Sequence, residues 1–70
     1  MYEILEEMLV TDDNIKYISY GVRYRETGLS ISDVTMNKQK MLDFIRLINF
    51  EELQPVHLPD AVEDFIDNLI

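Results

Sequence analysis

The fold is decided by residues 15–25, IKYISYGVRYR, in which apolar and polar side chains alternate. The apolar members of this alternation are Ile18, Tyr20, Val22 and Tyr24. A period of two, carried by β-branched and aromatic residues, predicts a half-buried strand with one face in the core and the other turned outward. The rest of the chain can be placed around this strand.

The residues after this strand predict a hairpin. Glu26-Thr27-Gly28 is a turn sequence, because glycine adopts a positive φ without steric cost. We expect residues 29–34 to return as a second strand, antiparallel to the first, with Leu29 and Ile31 facing the core.

The first ten residues fit two structures. A helix would group on one face Ile4, Leu5, Met8 and Leu9. A strand would group on one face Tyr2, Ile4, Met8 and Val10. In the strand, only Glu6 interrupts the apolar face, and a third strand would stabilise an otherwise marginal hairpin. We favour a strand here, while the Glu and Met content keeps the helix open.

Two helices are predicted in the second half of the chain. The apolar stripe of the first consists of Met41, Leu42, Phe44, Ile45, Leu47 and Ile48. The stripe of the second consists of Ala61, Val62, Phe65, Ile66, Leu69 and Ile70. Thr35 or Asn37 can cap the first helix, Asn49 suits a left-handed stop, and Pro59 suits the first turn of the second helix.

Strands grouped before helices indicate the α+β class. We therefore expect a three-stranded antiparallel sheet with two C-terminal helices packed on one face. A chain of 70 residues lies near the lower size limit for independent folding, so we expect residues 1–70 to form a single small domain.

The composition narrows the class of partner. Fourteen acidic and six basic residues give a net charge of −8, which repels nucleic acid and anionic membranes. We expect a protein partner or a homodimer, with no nucleic acid and no membrane. The acidic N-terminal residues are unlike a signal peptide, and no apolar run approaches the roughly 18 residues of a membrane span, so we expect a cytoplasmic protein.

No motif for phosphate binding, dinucleotide binding or an activated nucleophile is present. We expect no catalytic residue, no cofactor and no metal. The alternative is a small enzyme or metal site at a functional turn, built on His57 with Asp60 or Asp64. A single histidine is more often a cap or turn residue, so we favour the structural role.

An outward-facing set on the strand of residues 15–25 consists of Tyr17, Arg23 and Arg25. Tyr and Arg are enriched in interface hot spots, and Gly21 between them is expected to leave backbone accessible, so the set predicts an interface. The alternative is that the arginines pair across the sheet with Glu3 and Glu7.

The chain resembles, over about half its length, a family of short uncharacterised bacterial proteins of the Firmicute type. The resemblance is carried by Tyr20-Gly21-Val22, Leu53-x-Pro55-x-His57-Leu58 and Val62-Glu63-Asp64-Phe65. It implies no activity, although it places His57 and Asp64 inside the shared motif.

The leading functional hypothesis is a non-enzymatic protein-interaction module that self-associates or binds another protein. The enzyme or metal site at His57 is the second hypothesis. The third is an acidic regulator that mimics nucleic acid through its negative charge.

Overall fold

The computed structural model describes residues 1–69 and has the expected α+β architecture. Its elements in chain order are β1 (Tyr2–Val10), β2 (Lys16–Tyr24), β3 (Ser30–Thr35), α1 (Lys38–Phe50), a 3₁₀ turn (Pro55–His57) and α2 (Leu58–Asp67). The strands form one antiparallel sheet in the order β1-β2-β3, and both helices pack on it. The predicted sheet and helices are confirmed, and the N-terminal segment is a strand.

The core lies between the helices and the face of the sheet that carries the even-numbered residues of β1 and β2. Its buried members are Tyr2, Val22, Met41, Phe44, Ile45, Ile48, Leu58 and Val62. The rings of Tyr2 and Tyr24 lie 4.9 Å apart at one end of the sheet. Ile31 packs against this core as expected, whereas the placement of Leu29 in the core is wrong. Leu29 belongs to the turn before β3, and 42% of it is exposed.

A bulge interrupts the pairing of β2 with β3. Tyr20 lies opposite Thr35 and Val22 lies opposite Ile31, so three residues of β3 face one residue of β2. A bulge bends its strand and strengthens the local twist. Here it brings the β3 backbone onto the sheet face turned away from the helices.

Gly21 is the β2 residue against which the bulge packs. A Cβ built at Gly21 would lie 2.2 Å from the Ile31 carbonyl oxygen, so only glycine leaves room for the bulge. The neighbouring Ser19 is 1% exposed, and its hydroxyl donates a 2.7 Å hydrogen bond to Asp33 Oδ1. The expectation that Gly21 leaves backbone accessible is therefore wrong.

The helix ends follow the sequence signals in part. Asn37 caps α1, because its Oδ1 accepts a 3.0 Å hydrogen bond from the Lys40 N–H. Pro59 lies in the first turn of α2, as predicted. The left-handed residue after α1 is Glu52, with φ of 54°, and not Asn49. Ile70, assigned to the apolar face of the second helix, lies outside the described residues.

Asn49 instead fastens the start of β1 to α1. Its Oδ1 accepts a 2.7 Å hydrogen bond from the Tyr2 N–H, and its Nδ2 donates a 2.9 Å hydrogen bond to the Tyr2 carbonyl. The Tyr2 hydroxyl donates to the Leu53 carbonyl at 2.7 Å. The Asn49 side-chain amide thus makes the two hydrogen bonds with the Tyr2 backbone that a neighbouring strand would otherwise make.

Replacing Asn49 by Ala removes both of these hydrogen bonds. We expect the free energy of unfolding to fall by about 2 kcal/mol, at roughly 1 kcal/mol for each net hydrogen bond. Urea denaturation measures the change. Asn68→Ala is the matched control, because it removes only an exposed bond to the Asp64 carbonyl, and its midpoint should barely move. Equal midpoints for the two variants would contradict the fastening role of Asn49.

Burial, with smaller effects of Tyr24 and Glu26, raises the pKa of Tyr2 above its ordinary value. A raised pKa means that the folded protein holds this proton more tightly than the unfolded chain does. Stability is therefore unaffected below about pH 10 and falls as the pH rises through and above that value. We expect the loss to be smaller in Tyr2→Phe, measured by urea denaturation between pH 8 and pH 11. If the free energy of unfolding had the same pH dependence in both proteins, the raised pKa of Tyr2 would be contradicted.

Candidate functional site

The residues of the predicted functional turn lie around the start of α2, with Asp60 in its first turn and Asp64 further along the helix. His57 is exposed at the end of the 3₁₀ turn, and its side chain does not cap α2. Asp64 borders a concavity between α1 and α2 whose lining does not include His57. Within residues 1–69, no group of three or more His, Cys, Asp or Glu side chains could hold a metal ion.

Of the predicted interface residues, Tyr17 and Arg23 lie in β2, and Arg25 is the first residue after it. The guanidinium of Arg23 is held by Glu3, with Nε donating at 2.8 Å, which is one of the cross-strand pairs considered as the alternative. Tyr17 lies six positions away, about 20 Å along the strand, with Ser19 and Gly21 covered by the bulge between them. The three residues therefore do not form one continuous surface.

Tyr17 instead lines an open groove on the sheet face that the helices leave free. The groove has a volume of about 600 Å³, and its lining is Thr11, Ile15, Tyr17, Ser19, Asp33, Val34, Thr35 and Met36. The Ser19 hydroxyl at its floor donates to Asp33, and no histidine lines the groove to act as a base. The groove therefore offers mainly apolar contact surface.

The outer edge of β1 carries open backbone groups. The Arg25 N–H bonds to the Met1 carbonyl and the Thr11 N–H bonds to the Ile15 carbonyl, so the odd-numbered positions of β1 point their backbone groups at β2. The even-numbered positions point theirs away from the sheet. Of these, Tyr2 is satisfied by Asn49, whereas no strand within residues 1–69 pairs with Ile4, Glu6, Met8 and Val10.

The distal part of the β1–β2 hairpin projects beyond the rest of the fold. The last pair between β2 and β3 is Tyr20 with Thr35, and on the helix side no core residue of β1 or β2 lies in the hairpin rows beyond it. Three apolar side chains on the helix side of these rows are 65%, 56% and 43% exposed, namely Met8, Val10 and Ile18. An apolar surface therefore adjoins the open edge of β1.

Two carboxylates without a basic partner in the described part of the chain, those of Glu6 and Glu7, lie in the middle of the β1 edge. Glu6 and Glu7 lie opposite Tyr20 and Ser19 of β2, and neither takes part in an ion pair within residues 1–69. Since alternate residues of a strand point to opposite faces, the two carboxylates lie on opposite sides of the sheet. The edge therefore presents negative charge on both of its sides.

Sequence reasoning missed this edge because it could not order the strands. One signal was present: Glu6 interrupts the apolar face of β1, and an inward-pointing charge is typical of edge strands. Nothing in the sequence told whether the first strand would pair with the second or the third.

One model among known protein families matches residues 1–68 of the chain, and it is described as a family of unknown function (DUF6514). No curated protein and no solved structure matches the chain. None of the helices in the described part of the chain has the length and apolar character needed to cross a membrane.

Proposed function

The chain belongs to the DUF6514 family of unknown function, and from its site we propose a non-enzymatic interaction module that binds an extended strand of a partner protein at β1. The observation that carries the proposal is the open row of backbone groups at Ile4, Glu6, Met8 and Val10. Strand addition uses such a row for affinity and the neighbouring side chains for specificity.

The apolar surface beside the edge supports the same function. An added strand would extend the face formed by Met8, Val10 and Ile18, and its own apolar side chains would cover them. Long open edges with adjacent apolar side chains promote aggregation unless they are protected or occupied. A partner strand that covers both the open edge and the apolar surface would remove this tendency to aggregate.

The other hypotheses have less support. The His57 ring is exposed and does not join Asp60 and Asp64 in a metal-binding group. A mimic of nucleic acid needs an array of free carboxylates, whereas Arg23 neutralises Glu3 on the sheet. The proposal accordingly includes no cofactor, no nucleic acid and no membrane. The bacterial origin of Firmicute type and the cytoplasmic location are also part of the proposal.

Site-specific photo-crosslinking in the native host tests the strand addition. A photoreactive amino acid is placed in turn at Glu6, Met8 and Val10, and the cross-linked partner residues are mapped by mass spectrometry. We expect the three positions to reach partner residues spaced two apart along one extended segment, because side chains on one face of a strand recur with that period.

The matched control places the same photoreactive group at Glu63 and Asp67, which are exposed positions on α2. We expect no specific adduct from them. Adducts that come from α2 and not from β1, or edge adducts scattered over unrelated segments, would refute strand addition at β1.

A further inference from the structure

We infer that the partner strand carries two adjacent basic residues with apolar residues on both sides, an inference that rests on the proposed function. The motivating pattern is residues 4–9 of β1, Ile-Leu-Glu-Glu-Met-Leu, in which two carboxylates interrupt apolar pairs. Opposite charges placed across neighbouring strands are stabilising, and like charges are destabilising.

The geometry of strand addition fixes the spacing of the basic residues. A strand laid along β1 places one residue opposite Glu6 and the next residue opposite Glu7, whichever way it runs. These two residues point to opposite faces of the sheet, as Glu6 and Glu7 do. Each carboxylate therefore meets its own cation only when the two basic residues are consecutive in the partner.

The flanking positions of the partner face apolar side chains. Residues on the helix side lie beside Ile4 and Met8, and residues on the other side lie beside Leu5 and Leu9. Apolar partner residues at these positions gain cross-strand contacts, whereas charged ones would be drawn out of water without a counter-charge. The net charge of −8 adds a long-range attraction for a basic segment.

A second copy of the chain does not meet this requirement. Only even-numbered positions present open backbone groups, so antiparallel self-pairing can shift only in steps that keep even positions opposite even positions. One register sets Ile4 opposite Met8 and puts Glu6 opposite Glu6 of the other copy. The next sets Ile4 opposite Val10 and puts Glu7 opposite Glu7. Further shifts shorten the paired segment, so self-pairing is either repulsive or short.

Synthetic peptides test the inference directly. The probe is the capped peptide Thr-Ile-Val-Lys-Lys-Val-Ile-Thr, and the comparison peptide has glutamine in place of both lysines. Binding is followed by the backbone amide NMR shifts of β1. We expect the lysine peptide to shift the amides of Glu6, Met8 and Val10, and to bind about threefold to tenfold more tightly than the glutamine peptide at low salt. Added salt should narrow this difference.

Charge variants of the protein supply the reciprocal measurement. Glu6→Gln with Glu7→Gln should remove the preference for lysine over glutamine peptide. The control, Glu63→Gln with Asp67→Asn, makes the same change in net charge on α2 and should keep the preference.

The outcomes separate the two claims. Equal binding of the two peptides at β1 would overturn the basic partner and leave strand addition standing. No binding of either peptide, with no edge cross-links in the host, would overturn the proposed function itself. A β1-mediated dimer in light scattering would overturn the inference by assigning the edge to a second copy.

Discussion

Gly21→Ala should unfold most of the protein or displace β3 from the sheet. The added Cβ would lie 2.2 Å from the Ile31 carbonyl oxygen and 2.9 Å from the Ser32 Cα, and both contacts are with backbone that no side-chain rotation can relieve. We expect a loss of more than about 3 kcal/mol, which is comparable to the whole stability of a domain of this size. Circular dichroism and urea denaturation report the loss.

Gly28 supplies the control for this prediction. It has φ of 79° and no heavy atom within 4 Å of a Cβ built on it, so a substitution there costs conformational strain without a clash. We expect Gly28→Ala to lose about 1 kcal/mol and Gly28→Asn less, because Asn tolerates the left-handed region. If Gly21→Ala is no more damaging than Gly28→Ala, the bulge does not pack against Gly21 as described.

Proline substitutions at neighbouring positions of β1 should differ sharply. Glu7→Pro removes an N–H that points at β2, opposite Ser19, and should lower the free energy of unfolding by about 2–4 kcal/mol. Met8→Pro removes an N–H that points away from the sheet, and edge strands tolerate proline in that orientation. We expect it to cost less than about 1 kcal/mol, since the Met8 side chain is exposed.

Urea denaturation of the two proline variants measures this difference. Met8→Pro should also abolish peptide binding while the fold persists, because an added strand would lose a hydrogen bond and meet the proline ring. Equal destabilisation by the two substitutions would mean that both sides of β1 are hydrogen-bonded, which contradicts an open edge.

Local patterns in the sequence predicted the elements of the fold well. The alternation in residues 16–24, the turn at Gly28 and the apolar stripes of the helices each reflect contacts between near neighbours in the chain. Proline in the first turn of α2 and Asn37 at the start of α1 likewise act on backbone groups a few residues away. Such local signals can be recognised in the sequence without knowledge of the tertiary structure.

Features that depend on contacts between distant segments could not be predicted from the sequence. Glycine is needed at position 21 because the β3 bulge packs against it, and no local sequence pattern predicts that bulge. Asn49 looked like a helix stop because its role depends on Tyr2, 47 positions away. The candidate site had the same difficulty, since an edge is defined by strand order, and strand order is a property of the whole sheet.

The proposed binding site is built from the backbone groups of an open strand edge. A site built from backbone groups has no residue signature, so sequence motifs could not reveal it. We propose that Glu6 and Glu7 give it specificity, although in the sequence these two acids look like ordinary solvated charges.

Amide hydrogen exchange along β1, measured by NMR before and after addition of the lysine peptide, is the most direct test of strand addition at this edge. We expect slow exchange at Leu5, Glu7 and Leu9 in the free protein and fast exchange at the even-numbered positions Glu6, Met8 and Val10. The even-numbered set should become protected when peptide is bound. Slow exchange at both sets in the free protein, or no new protection with the peptide, would contradict it.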